Sequence, residues 1–222
     1  MNNAETMGLH IAPTLIRVGN EDLDVGLIWE AGFHAAEPWE FEAENDGTYD
    51  FVRDESGLDF LQLNATGRGG VTAWLTRSFP ADVAIEIEAR HLSPKEKRHL
   101  SVLFGAGAEQ ARTAAETTRA EEPGMYQEFP NYLLTQVADH SRLRRNPGFE
   151  MLSEETGSVA PQGPQPQLLV VVKTGGRIRV VLDGKVIHEV TDAKPHGAGW
   201  LGLRTWNASV EIRGLRVYSV EV

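Results

Sequence analysis

Short segments in which apolar and polar residues alternate, separated by turn residues, are the feature that most restricts the fold of this chain. In Ala84–Arg90, Ile85 and Ile87 point to one side of a strand and the charged residues point to the other. Asp183 and Gly184 separate two further segments and predict a tight hairpin, because both positions tolerate the positive φ that such a turn requires. About ten to twelve short strands at this spacing predict an all-β fold, an antiparallel β-sandwich.

The predicted strands continue without a convincing linker, which favours one domain. We predict an N-terminal segment over residues 1–26 and a single β-sandwich domain over residues 27–222. Residues 106–122 interrupt the strand pattern, since they are rich in Ala, Glu, Thr and Arg and lack a sustained apolar stripe. This segment is predicted to be a solvated helix or a long surface excursion.

The composition argues against several functional classes. The net charge of -11 argues against general nucleic-acid binding, which needs a broad basic surface. The chain of 222 residues contains no cysteine, so disulfide and thiolate chemistry are absent. No secretory signal and no apolar stretch of about 20 residues is visible, so we expect a soluble cytoplasmic protein without membrane contact. The seven histidines are scattered without ligand spacing, and we predict no metal and no cofactor.

The segment Asn131–Leu152 is out of character for an acidic chain, because it gathers three arginines within four positions. If its first half is one strand, Tyr132, Gln136 and His140 share a face and are the candidate catalytic residues of a groove. The arginines and the asparagine that follows them could hold a carboxylate or a sulfate. The candidate anion-binding residues are Arg144, Arg145 and Asn146, with Arg142 beside them. A cation for a uronate carboxylate and a base for its C5 proton are the parts of a polysaccharide lyase.

A plainer interpretation stays open for these residues. The arginines could pair with some of the 32 acidic residues and hold a loop in place, and His140 could cap a strand. Glu86 and Glu88 alternate as the two carboxylates of a retaining glycosidase do, but Arg90 takes the third position on that face. A solvent-facing polar surface is therefore the favoured explanation of these glutamates.

Tryptophans near the C-terminus form a second candidate surface, since sugar rings stack on indole and phenol rings. Trp200 and Trp206 are an even number of residues apart on one predicted strand, with Arg204 on the same face. This arrangement fits a substrate-binding groove that both stacks and binds anions, and Tyr126 is a further candidate for it. The alternative is that the tryptophans belong to the core, although an arginine on a core face needs a partner.

Three stretches carry a resemblance to a known family. They are Phe79-Pro80 with the strand Val83–Glu88, Gly124-Met125-Tyr126 leading through Tyr132 to Arg144–Phe149, and Gly199–Trp206 with Leu215–Tyr218. They resemble the YesU-like family of concanavalin-A-like jelly rolls, and the Leu-Arg-Arg-Asn-Pro-Gly-Phe segment is the most specific part. The resemblance implies a lectin-like or glucanase-like jelly roll and an association with the breakdown of plant or algal acidic polysaccharides. It implies no established catalytic residues, and residues 106–122 depart from the family pattern.

These observations lead to three functional hypotheses of different classes. The first is a carbohydrate-active enzyme, a lyase or a hydrolase, acting on an acidic oligosaccharide that contains uronate. The second is a non-catalytic, lectin-like carbohydrate-binding module of the same fold. The third is a structural sandwich that forms oligomers, a homodimer among them, because exposed sheet edges often pair.

Overall fold

Two antiparallel β-sheets make up the protein. A computed structural model describes residues 14–67, 69–109, 111, 126–157 and 165–220. Within these residues sixteen strands form the two sheets, and a short 3-10 helix covers Lys95–Lys97. The prediction of an all-β, antiparallel β-sandwich is confirmed.

The larger sheet has nine strands and the smaller has seven. The larger sheet contains β1 (Thr14–Val18), β2 (Glu21–Glu30), β4 (Thr48–Arg53), β5 (Asp59–Asn64), β7 (Val83–His91), β12 (Gln167–Thr174), β13 (Arg177–Leu182), β14 (Lys185–Thr191) and β16 (Ser209–Val220). The smaller sheet contains β3 (Trp39–Glu44), β6 (Gly70–Phe79), β8 (His99–Ala106), β9 (Asn131–Val137), β10 (His140–Asn146), β11 (Glu150–Thr156) and β15 (Gly199–Trp206). The order in the larger sheet is β1-β2-β16-β7-β12-β13-β14, with β5 beside β16 and β4 beside β5. The order in the smaller sheet is β11-β10-β9-β8-β15-β6-β3.

The main core lies between the two sheets. Each strand presents every second residue inward, so apolar side chains from both sheets meet in one layer. Ile85 and Ile87 point into this layer from β7, as their alternation predicts. Leu134 and Leu143 point into it from the smaller sheet, and both are fully buried.

The expected single strand in the first half of Asn131–Leu152 is wrong. The chain reverses at Ala138 and Asp139, so β9 and β10 form a hairpin and His140 begins a second strand. The reversal contains neither glycine nor proline, the residues that most often reveal a turn in a sequence.

Strand β2 crosses the domain boundary that we expected after residue 26. It pairs with β16 on one side and with β1 on the other, so residues 14–26 belong to the larger sheet. Thr14 and Val220 both lie opposite Val25, one on each side of β2. The β1–β2 hairpin buries Ile16 and Val18 in a separate apolar cluster with residues from β7, β12 and β13.

A further apolar cluster lies on the outer face of the smaller sheet. Its members are Trp74, Leu103, Ala106, Ala111, Tyr126, Phe129, Leu133 and Trp200. The expected polar segment 106–122 begins at the end of β8, and residues 110 and 112–122 lie outside the described residues. No helix within the described residues is long and apolar enough to cross a membrane.

Candidate functional site

A pocket of about 260 Å³ opens on the outer face of the smaller sheet, beside the apolar cluster. Its lining residues are His99, Ser101, Tyr126, Gln127, Leu133, Thr135, Arg144, Phe149, Arg204 and Trp206. Both aromatic rings and hydrogen-bonding groups line it, and two arginines are among its lining residues. Concave sites of mixed apolar and polar composition are the usual places where small molecules bind.

Strand alternation assembles most of this pocket. Leu100 on β8, Leu134 on β9 and Leu203 on β15 point into the core, so the residues next to them point outward. The outward set is His99 and Ser101 on β8, Leu133 and Thr135 on β9, Arg144 on β10, and Arg204 and Trp206 on β15. Tyr126 and Gln127 come from the segment before β9, and Phe149 comes from the turn between β10 and β11.

Arg144 is a buried cation without a carboxylate partner in the described part of the chain. The residue is 6% exposed, and its Nε is buried without a hydrogen-bond partner. Glu154, whose charge acts on it, is paired with Arg142 Nε at 2.6 Å. Burial, together with the Arg142 cation, lowers the pKa of Arg144. An anion placed in the pocket would offset the desolvation of this guanidinium.

Arg204 is the second pocket arginine, and acidic residues beneath it neutralise its charge. Its guanidinium contacts both carboxylate oxygens of Glu44 at 3.0 Å. It also donates to Thr72 Oγ1 at 2.9 Å and to the Tyr126 hydroxyl at 3.1 Å. Arg204 therefore has the partner that an arginine buried on this face needs. The two pocket arginines differ, because Arg204 has a carboxylate partner and Arg144 has none among the described residues.

Trp200 and Trp206 lie on the same face, as predicted, but at different depths. Trp206 is half-buried at the pocket, where the Arg204 guanidinium lies 5.5 Å from its ring centroid. Trp200 is 4% exposed and belongs to the outer apolar cluster, so it does not line the pocket. A Cβ on Gly70 would lie 2.6 Å from Arg204 Nη2 and 2.9 Å from the Trp206 ring, so this position of β6 requires glycine.

Glu42 and Tyr126 connect the pocket to a buried carboxyl group. Glu42 is 2% exposed, and the Tyr126 hydroxyl donates to its Oε2 at 2.8 Å. Burial raises the pKa of Glu42, against the opposing effects of that hydrogen bond and of Arg204. Burial also raises the pKa of Tyr126. At neutral pH the tyrosine is therefore a protonated donor with an acidic neighbour.

His99 is a neutral imidazole in the wall of the pocket. Its Nδ1 accepts the backbone N–H of Trp206 at 3.1 Å, which places its proton on Nε2. The Nε2 atom lies 3.5 Å from Ser101 Oγ. Burial and the charge of Arg204 lower the pKa of His99 to about 3. The ring therefore offers a hydrogen-bond donor, and within the described residues no group of three or more potential metal ligands occurs.

Tyr132 and Arg145 are not part of this pocket. Tyr132 is fully buried between the sheets, and its hydroxyl donates to Asp192 Oδ2 at 2.6 Å. Arg145 Nε donates to the same oxygen at 3.0 Å. The expected groove-facing position of Tyr132 is wrong because the inward residues of β9 are Tyr132, Leu134 and Gln136. Arg145 has the partner that the plainer interpretation expected.

The remaining candidates of the basic segment are also separate from the pocket. Gln136 is 6% exposed and belongs to the inner face of β9. His140 pairs with the exposed Asp139 at 2.7 Å at the beginning of β10. Asn146 is fully buried and donates to Asn131 Oδ1 at 3.0 Å. The structure thus does not bring Tyr132, Gln136 and His140 together.

Glu86 and Glu88 lie on the larger sheet, away from the pocket. Glu86 accepts a hydrogen bond from Arg216 Nη1 at 2.7 Å, and Glu88 is exposed. This arrangement matches the solvent-facing polar surface favoured above.

Several pocket residues are absent from the sequence-derived candidates. They are His99, Ser101, Gln127, Leu133, Thr135 and Phe149. His99 and Ser101 flank the apolar Leu100, so alternation could have placed them on a polar face of β8. No pattern within one strand reveals that β8 lies between β9 and β15, and this pairing is what builds the pocket.

A family model described as a domain of unknown function, DUF6250, matches residues 66–215. The chain belongs to the DUF6250 family. Arg144, Phe149, Arg204 and Trp206 all lie within the matched part of this DUF6250 protein. The narrower YesU-like resemblance stays a prediction. No curated protein matches the chain.

Solved structures show which fold the DUF6250 chain shares. A protein of unknown function with a galectin-like fold from Bacillus subtilis has a TM-score of 0.68 at 16% identity, covering 88% of this chain and 96% of its own. The carbohydrate-binding module CBM66 from Bacillus subtilis has a TM-score of 0.58 at 16% identity, covering 82% and 96%. An endo-beta-1,3-glucanase from Pyrococcus furiosus has a TM-score of 0.58 at 14% identity, covering 95% and 99%. The prediction of a concanavalin-A-like lectin or glucanase jelly roll is confirmed.

Proposed function

We propose that this DUF6250 protein binds an acidic carbohydrate and that one uronate ring occupies the outer-face pocket. The observation that carries the proposal is the buried guanidinium of Arg144, which has no carboxylate partner in the part of the chain that the structure describes. A carboxylate on the ligand would accept hydrogen bonds from Arg144 and offset the desolvation of its charge. Arg204 does not compete for the anion, because Glu44 already neutralises it.

The rest of the pocket suits a sugar ring. Trp206 and Phe149 offer aromatic surface for the C–H groups of the ring, while Ser101, Thr135 and Gln127 offer partners for its hydroxyls. The volume of about 260 Å³ is slightly below the range of roughly 300–1,000 Å³ of pockets for drug-sized ligands. A single ring is therefore the expected occupant, with any further sugar units outside the pocket. The similarity in fold to a carbohydrate-binding module and a glucanase supports this ligand class.

The test is calorimetric titration with oligogalacturonate, oligoglucuronate and their neutral, carboxyl-reduced counterparts. Arg144→Gln is expected to weaken binding of the acidic sugars about 10- to 100-fold, as loss of a charged hydrogen-bonding partner does. Arg142→Gln is the matched control, since it removes the same charge two positions away on the same strand, where Glu154 pairs with the arginine. Equal losses of affinity in the two variants would show that Arg144 acts only through its contribution to the net charge.

Catalysis on the same ligand is the second candidate function. Glu42, with its raised pKa, and the Tyr126 hydroxyl that contacts it favour this candidate, because such a pair can pass a proton toward a leaving oxygen in the pocket. Incubation with the acidic oligosaccharides, followed by ultraviolet absorbance of unsaturated products and release of reducing ends, distinguishes elimination, hydrolysis and binding alone. Glu42→Gln is expected to abolish turnover while binding persists. Tight binding without any product eliminates this candidate.

The family relationship, the location and the oligomeric state predicted from the sequence belong to the same proposal. A YesU-like relationship within the shared galectin-like fold stays a prediction. A cytoplasmic location and a homodimer stay predictions, to be checked by fractionation and by the mass of the protein in solution.

A further inference from the structure

Phe149 adopts a backbone conformation that a phenylalanine rarely takes. Its φ is +58°, in the left-handed region that favours glycine and asparagine. A bulky side chain at such an angle is an outlier, and strain of this kind is found preferentially at functional sites. Phe149 is 39% exposed, so burial in a core does not explain why a large ring is held here.

A network of buried amides holds the turn in this conformation. The backbone N–H of Phe149 donates to Asn146 Oδ1 at 3.2 Å, and Asn146 Nδ2 donates to Asn131 Oδ1 at 3.0 Å. Asn131 Nδ2 in turn donates to the carbonyl oxygen of Tyr126 at 2.6 Å. The backbone N–H of Gly148 donates to the carbonyl oxygen of Gln127 at 3.0 Å. The turn is thus fixed to the segment that contributes Tyr126 and Gln127 to the pocket.

The strained position puts the Phe149 ring against the cation of Arg144. The Arg144 guanidinium carbon lies 4.3 Å from the centroid of the ring. A ring at this distance attracts a guanidinium and restricts its rotation, without neutralising its charge as a carboxylate would. The ring therefore stabilises Arg144 in the pocket while leaving its donors available to an anion.

We propose that Phe149 is a positioning residue that determines the preference of the pocket for anionic ligands. This inference rests on the proposed function and deepens it, because it names what orients the anion-binding group. The ring fixes Arg144 and forms one wall of the pocket, and the turn retains a strained phenylalanine for binding rather than for stability.

The experiment compares Phe149→Gly, Phe149→Leu and Phe149→Tyr with the wild-type protein. The probes are glucuronate, glucose and inorganic sulfate, with binding followed by calorimetry and thermal stability measured without ligand. Phe149→Gly is expected to weaken glucuronate binding roughly 5- to 30-fold, the range between an exposed and a desolvated cation–π contact. Glucose binding is expected to weaken less, because glucose loses only the aromatic surface of the ring. The same variant is expected to unfold at an equal or higher temperature, since glycine relieves the strain at positive φ. Phe149→Leu should also lose affinity for glucuronate, and Phe149→Tyr should restore it.

A loss of glucuronate affinity without a loss of thermal stability distinguishes this role from a merely structural one. Unchanged glucuronate affinity in Phe149→Gly overturns the inference, and so does an equal loss for glucuronate and glucose, which would indicate pocket shape alone. Failure of the wild-type protein to bind either sugar refutes the proposed function, and sulfate then decides the inference separately. Sulfate binding that requires both Arg144 and Phe149 supports it, whereas sulfate binding without dependence on Phe149, or no sulfate binding at all, overturns it.

Discussion

The buried part of the site depends on the hydroxyl group of one residue, Tyr126. It contacts Thr72 at 2.7 Å and Glu42 at 2.8 Å, and it accepts from Arg204 at 3.1 Å. One oxygen therefore satisfies an acid, a cation and a hydroxyl that would otherwise be buried with fewer partners. Buried polar groups are costly when one member of such a network is removed.

Tyr126→Phe is expected to lower the free energy of unfolding by about 1–3 kcal/mol, because Glu42 and Arg204 each lose a buried partner. Urea unfolding measures the change. Tyr49→Phe is the matched control, since Tyr49 is 43% exposed and stacks on Phe41 through its ring, which the substitution keeps. A loss no larger than that of the control would show that the hydroxyl network does not stabilise the fold.

At the scale of elements, a histidine joins the two sheets at one edge of the sandwich. His188 belongs to β14 of the larger sheet and is 2% exposed. Its Nε2 lies 2.8 Å from Ser141 Oγ on β10, and its Nδ1 lies 2.9 Å from Ser153 Oγ on β11. The hairpin that contains Arg144 is therefore attached to the opposite sheet through one imidazole.

His188→Ala is expected to lower the free energy of unfolding by about 2–4 kcal/mol, because it creates a cavity and leaves the buried Ser141 hydroxyl without this partner. Hydrogen exchange should show the largest increase in β10 and β11. His34→Ala, at an exposed position, should change stability by no more than about 0.5 kcal/mol. An equal increase in hydrogen exchange across both sheets in His188→Ala would show that His188 does not specifically stabilise β10 and β11.

Individual strands and turns show which parts of the fold and the site can be predicted from the sequence. Alternation identified the strand at Ala84–Arg90 and the shared face of Arg204 and Trp206, because both depend only on period two within a strand. It failed at His140, since the reversal at Ala138–Asp139 contains neither glycine nor proline. It also failed at Tyr132, because alternation does not say which face of β9 points into the core. The partner of Arg145, and the absence of a carboxylate beside Arg144 among the described residues, depend on which strands are neighbours. Nothing in the order of residues along one strand specifies that arrangement.

At the scale of the whole molecule, buried neutral histidines connect stability to pH. Burial lowers the pKa of His91 to about 4, and burial also lowers the pKa of His188 and of His196. A histidine in the unfolded chain titrates near its ordinary pKa of 6.5. Below that pH the unfolded chain binds more protons than the folded one, so stability is lost as the pH falls toward the folded-state pKa.

His91 is expected to contribute about 2 kcal/mol of this loss between pH 7 and pH 5. His91→Leu should flatten the pH dependence by that amount, because a leucine does not titrate and His91 Nδ1 has no partner within the described residues. Urea midpoints at pH 7 and pH 5 for the two proteins provide the measurement. If the urea midpoints of the two proteins fall equally between pH 7 and pH 5, the pKa of His91 is the same in the folded and the unfolded state.

Thr14 and Val220 lie close enough together for the chain to be circularly permuted. Both residues flank Val25, so they are separated by two strand spacings, roughly 10 Å. The path of the backbone is thus almost a closed ring, and a few flexible residues would join these two positions. A chain joined there and reopened at the exposed Asp183–Gly184 turn would keep the described strand pairings, and the pocket strands β8, β9, β10 and β15 would stay intact, because the new ends lie between β13 and β14.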